Sequence, residues 1–149
     1  MRFVWDTNIL IHCLKRSPAY QKLDGIYKFF TRENEVIISI VTVAEIYSLA
    51  YQRQWQQEKL NQLNTLIQRI KPVPIARQAL VDAYIRLDAY SQGRDPLLAL
   101  PVGITSRNMG KNDLWIAATA VVAQANLVTF DQDFDHLHDV WLKVYRPDL

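Results

Sequence analysis

Apolar residues change their spacing several times along this chain, and each spacing predicts a different kind of element. Short apolar runs at residues 2–5 and in "EVIISI" (35–40) are rich in β-branched side chains, which is typical of buried strands. Elsewhere apolar residues recur every three to four positions, as they do on one face of a helix. This helical spacing covers residues 6–16, 18–33, 42–54, 56–70 and 76–90.

The last third of the chain returns to the same alternation. Residues 91–110 hold most of the turn formers and two prolines, which predicts an irregular connection. Residues 112–125 are apolar on almost every side, as in a helix buried against a sheet. A strand at 126–130, a short turn or helix at 131–139 and a last strand at 140–145 follow. This strand–helix alternation predicts a three-layer α/β/α fold with a mostly parallel central sheet.

Composition narrows the class of protein. A chain of 149 residues that is 50% hydrophobic suits one globular domain, residues 1–149. The net charge of +2 predicts no strong non-specific binding of nucleic acid, although a local cluster of basic residues can still bind it. With one cysteine, Cys13, and no apolar run of the roughly 18 residues that a membrane span needs, we expect a reduced, cytoplasmic protein without a membrane partner.

Four carboxylates stand where predicted strands end or the following helices begin. Asp6 and Asp131 each come directly after a strand. Glu45 lies in the first turns of the helix after the second strand, and Asp113 opens the apolar helix. Because functional groups of open α/β sheets gather at the carboxyl ends of the strands, we expect the four acids to meet at one edge of the sheet.

Each acid also has a purely structural interpretation. Asp6 and Asp113 suit helix N-termini, and Asp131 suits an acidic turn. Glu45 is harder to explain in this way, because it lies between apolar neighbours inside a helix, where a lone carboxylate is costly. The four together would repel one another, and Lys111 is the one basic residue in these motifs. A divalent cation resolves the conflict, since Mg²⁺ and Mn²⁺ prefer oxygen ligands.

A metal ion held by carboxylates predicts phosphodiester hydrolysis. The ion lowers the pKa of a bound water and neutralises charge on the phosphate. We expect Asp6, Glu45 and Asp113 to hold the principal ion. Asp131 is expected to complete that site or to help hold a second ion. The side chains expected to support these ligands by hydrogen bonds are Thr7 and Asn8.

In order and spacing, "VWDTNIL", "VTVAEI", "GKNDLWIAATA" and "LVTFDQDF" resemble the four acidic motifs of PIN-domain proteins, and among these the VapC toxins of bacterial toxin–antitoxin pairs. The resemblance runs from Asp6 to Phe134. It implies a PIN fold, Mg²⁺- or Mn²⁺-dependent endoribonuclease activity, frequent homodimers and inhibition by a small antitoxin protein. The family's acids fall by position on Asp6, Glu45, Asp113 and Asp131, with Asp133 as the neighbouring candidate.

Several basic residues near the expected site are candidates for contact with RNA phosphates, which adds affinity without reading sequence. Each of them also suits an ordinary solvated position. The connection from Gln92 to Gly110 looks longer and richer in proline than in many relatives, so it is expected to affect substrate entry or a dimer contact. The RNA-binding candidates are Lys15, Arg16, Arg94, Arg107 and Lys111.

Two other functions stay open. In a phosphatase, Asp6 would act as a nucleophile, but such a site usually has a second Asp two residues on, where Asn8 stands. In a non-catalytic PIN-like RNA-binding protein the acids would have no catalytic role. The presence of all four argues against this alternative. The aromatic residues Tyr47, Tyr51 and Trp55 share one helical face, which suits either the core or an apolar patch for a dimer or antitoxin.

Overall fold

A five-stranded parallel sheet forms the centre of the computed structural model, which describes residues 1–147. The strand order is β3-β2-β1-β4-β5, so the first strand of the chain lies in the middle. All four neighbouring pairs are parallel, which confirms the predicted sheet. The strands are β1 (Arg2–Trp5), β2 (Glu35–Ser39), β3 (Lys71–Val73), β4 (Asn126–Val128) and β5 (Val144–Tyr145).

Helices cover both faces of this sheet and complete the three layers. Alternation along the strands divides the apolar side chains, because successive residues point to opposite faces. Val4 and Ile37 pack with α5 and α6, whereas Phe3, Trp5 and Ile38 pack with α1 to α4. The helices are α1 (Thr7–Leu14), α2 (Pro18–Tyr27), α3 (Ile40–Gln52), α4 (Gln57–Arg69), α5 (Gln78–Ser91), α6 (Lys111–Val122) and a 3₁₀ helix (Gln132–Leu137).

Two predicted elements are shorter in the structure. The helix expected over 18–33 ends at Tyr27, because Lys28 adopts a left-handed conformation with φ of 50°. The chain then turns Phe29 into the core, 5.1 Å from the ring of Phe3. The strand expected over 140–145 is restricted to Val144–Tyr145, since Trp141 packs against the buried Tyr90 instead of extending the sheet.

The carboxyl edge of the sheet is where the elements that carry the acids begin. Asp6 caps α1 and Ser39 caps α3, each with a side-chain oxygen that accepts a backbone N–H of the first turn. Both helices therefore start at this edge and run away from it, and they pack against each other. The 3₁₀ helix begins just after β4, and α6 begins after the long connection.

The connection from Gln92 to Gly110 has no helix or strand, as predicted, but it is tied to the rest of the fold. The amide of Arg107 donates to the Ser91 carbonyl at 2.7 Å, and Met109 is buried. Leu97 and Val102 lie at the surface of the connection. On α3, Tyr51 is 87% exposed, so the predicted aromatic face is a surface patch at that point. Within the described part of the chain, no helix has the length and apolar character needed to cross a bilayer.

Candidate active site

Four sequence-distant carboxylates line one open cleft of about 610 Å³ at the carboxyl edge of the sheet. They come from the end of β1, from α3, from the first turn of α6 and from the start of the 3₁₀ helix. The cleft is thus built by elements from both ends of the chain. The four are Asp6, Glu45, Asp113 and Asp131.

Asp6 is buried and wrapped in hydrogen-bond donors. Its Oδ1 accepts the amide of Thr7 at 2.6 Å, and its Oδ2 accepts Asn8 Nδ2 at 2.8 Å and Thr129 Oγ1 at 2.7 Å. Burial is the main cause that raises the pKa of Asp6 to about 6, and the charges of Glu45 and Asp131 add to it. The bonds from Thr129 and Thr7 act in the opposite direction. Asp6 is therefore both a helix cap and a wall of the cleft.

Glu45 has a donor on each carboxylate oxygen. Thr7 Oγ1 donates to Oε2, and Asn112 Nδ2 donates to Oε1 at 2.6 Å. Asn8 also contacts the segment that follows β4, because its Oδ1 accepts the amide of Phe130 at 3.3 Å. The structure therefore brings Thr7 and Asn8 against the acids in the supporting position expected of them.

Asp113 faces the cleft from the first turn of α6, and none of the donors among residues 1–147 contacts its carboxylate. Partial burial is the largest cause that raises the pKa of Asp113 to about 7, followed by the charges of Asp6, Asp131, Glu45 and Asp133. A Cβ at Gly110 would lie 3.0 Å from Asp113 Oδ2, so a side chain there would push the carboxylate aside.

Asp131 and Asp133 form a third part of the site. Asp131 caps the 3₁₀ helix, and its Oδ1 accepts the amide of Asp133 at 2.9 Å. Each of Asp113, Asp131 and Asp133 places a carboxylate oxygen within 4.8 Å of the other two. The tightest group of acids among the described residues therefore joins Asp113 to the 3₁₀ helix. The grouping of Asp113 with Asp6 and Glu45 that the sequence predicts stays a prediction, and among the acids the charge of Asp6 raises the pKa of Asp113 most.

The predicted RNA-binding residues divide into two groups. Arg107 lies beside the acids, with Nη1 donating to the carbonyls of Gln132 at 3.3 Å and Asp133 at 3.4 Å. Lys111 is exposed at the start of α6, two residues before Asp113. None of the five is among the described residues that line the acidic cleft. The three without a contact or a sequence position close to the acids are exposed: Lys15, Arg16 and Arg94.

Two residues of the site were missed from the sequence. Thr129 is fully buried, donates to Asp6 and accepts the amide of Asp131 at 2.9 Å. In the sequence it looks like an ordinary strand residue. Asn112 follows Lys111 in the first turn of α6, which Gly110 caps, and its Nδ2 donates to Glu45. The available signal was the position of Asn112 one residue before Asp113 and of Thr129 two residues before Asp131.

The donor set fits a hard divalent cation. Four carboxylates line the cleft, and oxygen ligands suit Mg²⁺ and Mn²⁺. Burial first, and then the neighbouring carboxylates, raise the pKa values of Asp6 and Asp113, and a bound cation would favour the charged form of both. Each carboxylate can accept about four hydrogen bonds or ligand contacts, so the existing donors leave room for one.

The PIN domain family matches residues 3–140. This chain belongs to the PIN domain family. The match covers the sheet through β4, α1 to α6 and the 3₁₀ helix, and therefore every acid of the cleft. Among curated proteins, the sequence comparison finds no match.

Solved structures of toxin–antitoxin proteins have the same fold. A chain of VapBC-1 from nontypeable Haemophilus influenzae has a TM-score of 0.73 and 23% identity, with 98% of each chain covered. VapBC2 from Rickettsia felis, bound to a DNA fragment from its promoter, has a TM-score of 0.72 and 20% identity, with 97% of this PIN-domain chain and 98% of the other covered. FitAcB from Neisseria gonorrhoeae has a TM-score of 0.66 and 21% identity, with 97% of each covered. At such identities the likeness establishes the fold.

Proposed function

We propose that this PIN-domain chain is a metal-dependent endoribonuclease of the VapC type, the toxin of a toxin–antitoxin pair. The observation that carries the proposal is the carboxylate of Asp113. It lies among four other acids without a donor of its own in the described residues, and its pKa is raised to about 7. An arrangement that costs stability and lines an open cleft is typical of a functional site.

The proposed ligands of the principal ion are Asp6, Glu45 and Asp113, with Asp131 and Asp133 completing the site or holding a second ion. When bound, Mg²⁺ or Mn²⁺ supplies an activated water and neutralises charge on the scissile phosphate. The spacing within the group of Asp113, Asp131 and Asp133 supports a contribution from Asp133.

The surrounding side chains fix the acids before any ion arrives. Thr7, Asn8 and Thr129 orient the two oxygens of Asp6, and Asn112 and Thr7 orient Glu45. Such outer hydrogen bonds hold ligand geometry and typically change metal affinity by about 10–100-fold when removed. The role proposed for these hydrogen-bonding side chains is to orient the metal ligands, not to act directly on the RNA.

A small antitoxin protein and a second copy of the chain are the proposed partners. Solved structures with this fold include a toxin–antitoxin complex and a member of the VapBC family of toxin–antitoxin systems, which supports the antitoxin. The exposed Tyr51 and the surface leucine and valine of the long connection offer apolar contact area for such assemblies.

The phosphatase alternative has little support. Asp6 is 5% exposed, and Asn8, whose Nδ2 donates to Asp6, stands where such a site usually has its second Asp. The non-catalytic alternative would leave the repulsion among the acids without a use, since an inactive site gains nothing from keeping Asp113 without a donor.

The proposed activity can be tested by mapping RNA ends. Total bacterial RNA would be incubated with the protein in Mn²⁺, Mg²⁺ or EDTA, and new ends would be sequenced. We expect discrete, metal-dependent ends with the wild type and none with Asp113→Asn. Ends that persist in EDTA or in the variant would come from a contaminant and would contradict the proposal. For the toxin role, growth arrest on induction should be relieved by a small protein encoded beside the gene.

A further inference from the structure

The acidic cleft continues as a groove between α1 and α3. Both helices begin at the acids and run away from them side by side. Ile11 on α1 and Ser48, Leu49 and Gln52 on α3 line the cleft beyond Glu45. Gln52 is the last residue of α3, so the lining follows this helix to its end.

Three cations stand at the far end of this groove. Lys15 follows the last residue of α1, Arg53 follows the last residue of α3, and Lys59 lies in the first turn of α4. Lys15 and Lys59 line one hollow of about 400 Å³. Arg53 directly follows Gln52, which lines the cleft. Partial burial lowers the pKa of Lys59, and the charges of Lys15 and Arg53 lower it further. We call Lys15, Arg53 and Lys59 the basic end.

The basic end lies a short run of nucleotides from the acids. From Thr7 to Lys15 and from Glu45 to Arg53, each helix advances by about 12 Å at its 1.5 Å rise per residue. The wall between the two ends is apolar or uncharged, formed by Ile11, Leu49 and Gln52. The groove therefore has an acidic end, a neutral middle and a basic end.

The three cations lack anionic partners in the part of the chain that the structure describes. Among residues 1–147 none of them forms an ion pair, although Glu58 lines the same hollow. Lys59 Nζ lies 3.5 Å above the ring of Trp55, which holds its position without neutralising its charge. Like charges held together in this way favour an anion from outside, and phosphate forms strong charge-assisted hydrogen bonds with Lys and Arg.

We propose that the groove between α1 and α3 binds single-stranded RNA, with the reacting phosphate at the acids and a flanking phosphate at the basic end. This inference rests on the proposed ribonuclease function and adds a direction to it. RNA fits the pattern because its phosphates repeat along a strand, while its sugars and bases can contact the uncharged middle. A protein segment that matched both ends would have to carry the opposite charge at each end.

Two triple variants with the same net charge test the groove. Lys15→Gln, Arg53→Gln and Lys59→Gln remove the basic end, whereas Lys22→Gln, Lys28→Gln and Arg32→Gln remove three exposed cations of the α2 region. Binding of a fluorescein-labelled single-stranded 12-nucleotide RNA would be followed by anisotropy over a salt series, with Ca²⁺ in place of Mn²⁺. Mn²⁺ affinity by calorimetry would show that the metal site and fold of each variant are intact.

We expect the basic-end variant to bind the RNA at least about tenfold more weakly at 0.1 M salt. The slope of log affinity against log salt should fall by about 0.7, the value for one lost phosphate contact on a single strand. The α2 variant should stay close to the wild type. Equal RNA affinity of the two variants would contradict RNA binding at the basic end but would not contradict the proposed ribonuclease activity. Retained RNA binding with lost binding of a Glu-rich peptide would overturn it in favour of a protein partner. If the wild type binds and cleaves no RNA, both proposals fall.

Discussion

The two walls of the cleft hold their carboxylates in opposite ways. On the wall formed by β1, α1 and α3, both oxygens of Asp6 and of Glu45 accept hydrogen bonds. On the wall formed by α6 and the 3₁₀ helix, three acids crowd together and Asp113 has no donor in the described residues. The first wall is preorganised by the protein alone. For the second, we propose that a bound cation completes the arrangement. The protein would then supply rigidity on one wall and negative charge on the other.

The largest effect is expected from removing the acid without donors. Asp113→Asn should weaken Mn²⁺ binding by about a hundredfold or more, because it removes a proposed metal ligand. This loss of affinity is larger than the loss expected when an outer hydrogen bond is removed. Calorimetry near pH 7.5 measures this directly. Asp82→Asn, which changes an exposed acid of α5, is the matched control. Unchanged affinity in Asp113→Asn would remove this wall from the metal site.

The donor-rich wall should respond less strongly. Thr129→Val keeps the shape of a fully buried side chain but removes a bond to Asp6 and leaves the amide of Asp131 without its acceptor. We expect about tenfold weaker Mn²⁺ binding and a loss of about 1–3 kcal/mol in the free energy of unfolding. Thr129→Ser retains the hydroxyl and should restore both quantities. A normal Thr129→Val protein would mean that Asp6 is held by Asn8 and Thr7 alone.

Charge on the second wall should make the metal-free protein sensitive to pH. Folded Asp113 has a pKa of about 7, above its ordinary 3.8, so the folded state holds this proton more tightly than the unfolded chain does. Stability is therefore lost as pH rises from about 4 to 7, and the loss is complete above pH 7. Asp6, at about 6, acts in the same direction.

Melting in EDTA measures this contribution. Asp113→Asn should melt with the wild type near pH 4 and about 2–4 °C above it at pH 8, equivalent to roughly 1 kcal/mol after discounting for partial exposure. In the wild type, Mn²⁺ affinity should rise with pH up to about 7, because binding displaces protons. A gap in melting temperature that shrinks as pH rises would contradict the assignment.

The smallest effect is expected from an exposed side chain of α6 that donates to the donor-rich wall. Asn112→Ala removes the donor to Glu45 Oε1, but Thr7 still holds Oε2. We expect a few-fold loss of Mn²⁺ affinity and a change in stability within about 0.5 kcal/mol, as for surface sites in general. Asn112→Asp is the informative partner, since it replaces the donor by a further negative charge and should raise the pKa of Asp113. An effect of Asn112→Ala as large as that of Asp113→Asn would remove the distinction between the walls.

The strands and helices were largely predictable because their apolar spacing is strong. The exception is β3, which was missed since "KPV" is three residues long and contains Pro72. Its place at the edge of the sheet beside β2 allows a proline there, but that position is decided by tertiary pairing. Phe29 likewise ends the second helical stretch for a reason that lies in the core, not in the local sequence.

The acids of the site were predictable, and their supports were not. Strand ends and helix starts predict where Asp6 and Asp113 lie relative to the sheet. Which side chain donates to which oxygen depends on how the elements pack in three dimensions. Thr129, for example, donates to Asp6 although the two residues lie far apart in the sequence. The metal-binding roles, the RNA contacts and the division of the chain into one domain stay predictions.

The central position of β1 has a consequence for synthesis of the protein. The amide of Asp6 donates to the carbonyl of Val128 at 3.0 Å, so the first strand to leave the ribosome finds its second neighbour only when β4 has emerged. A chain that stops short of β4 lacks Thr129 and Asp131, and one side of Asp6 is left open. For the proposed ribonuclease, we therefore expect nascent chains to cleave no RNA until translation of the domain is almost finished.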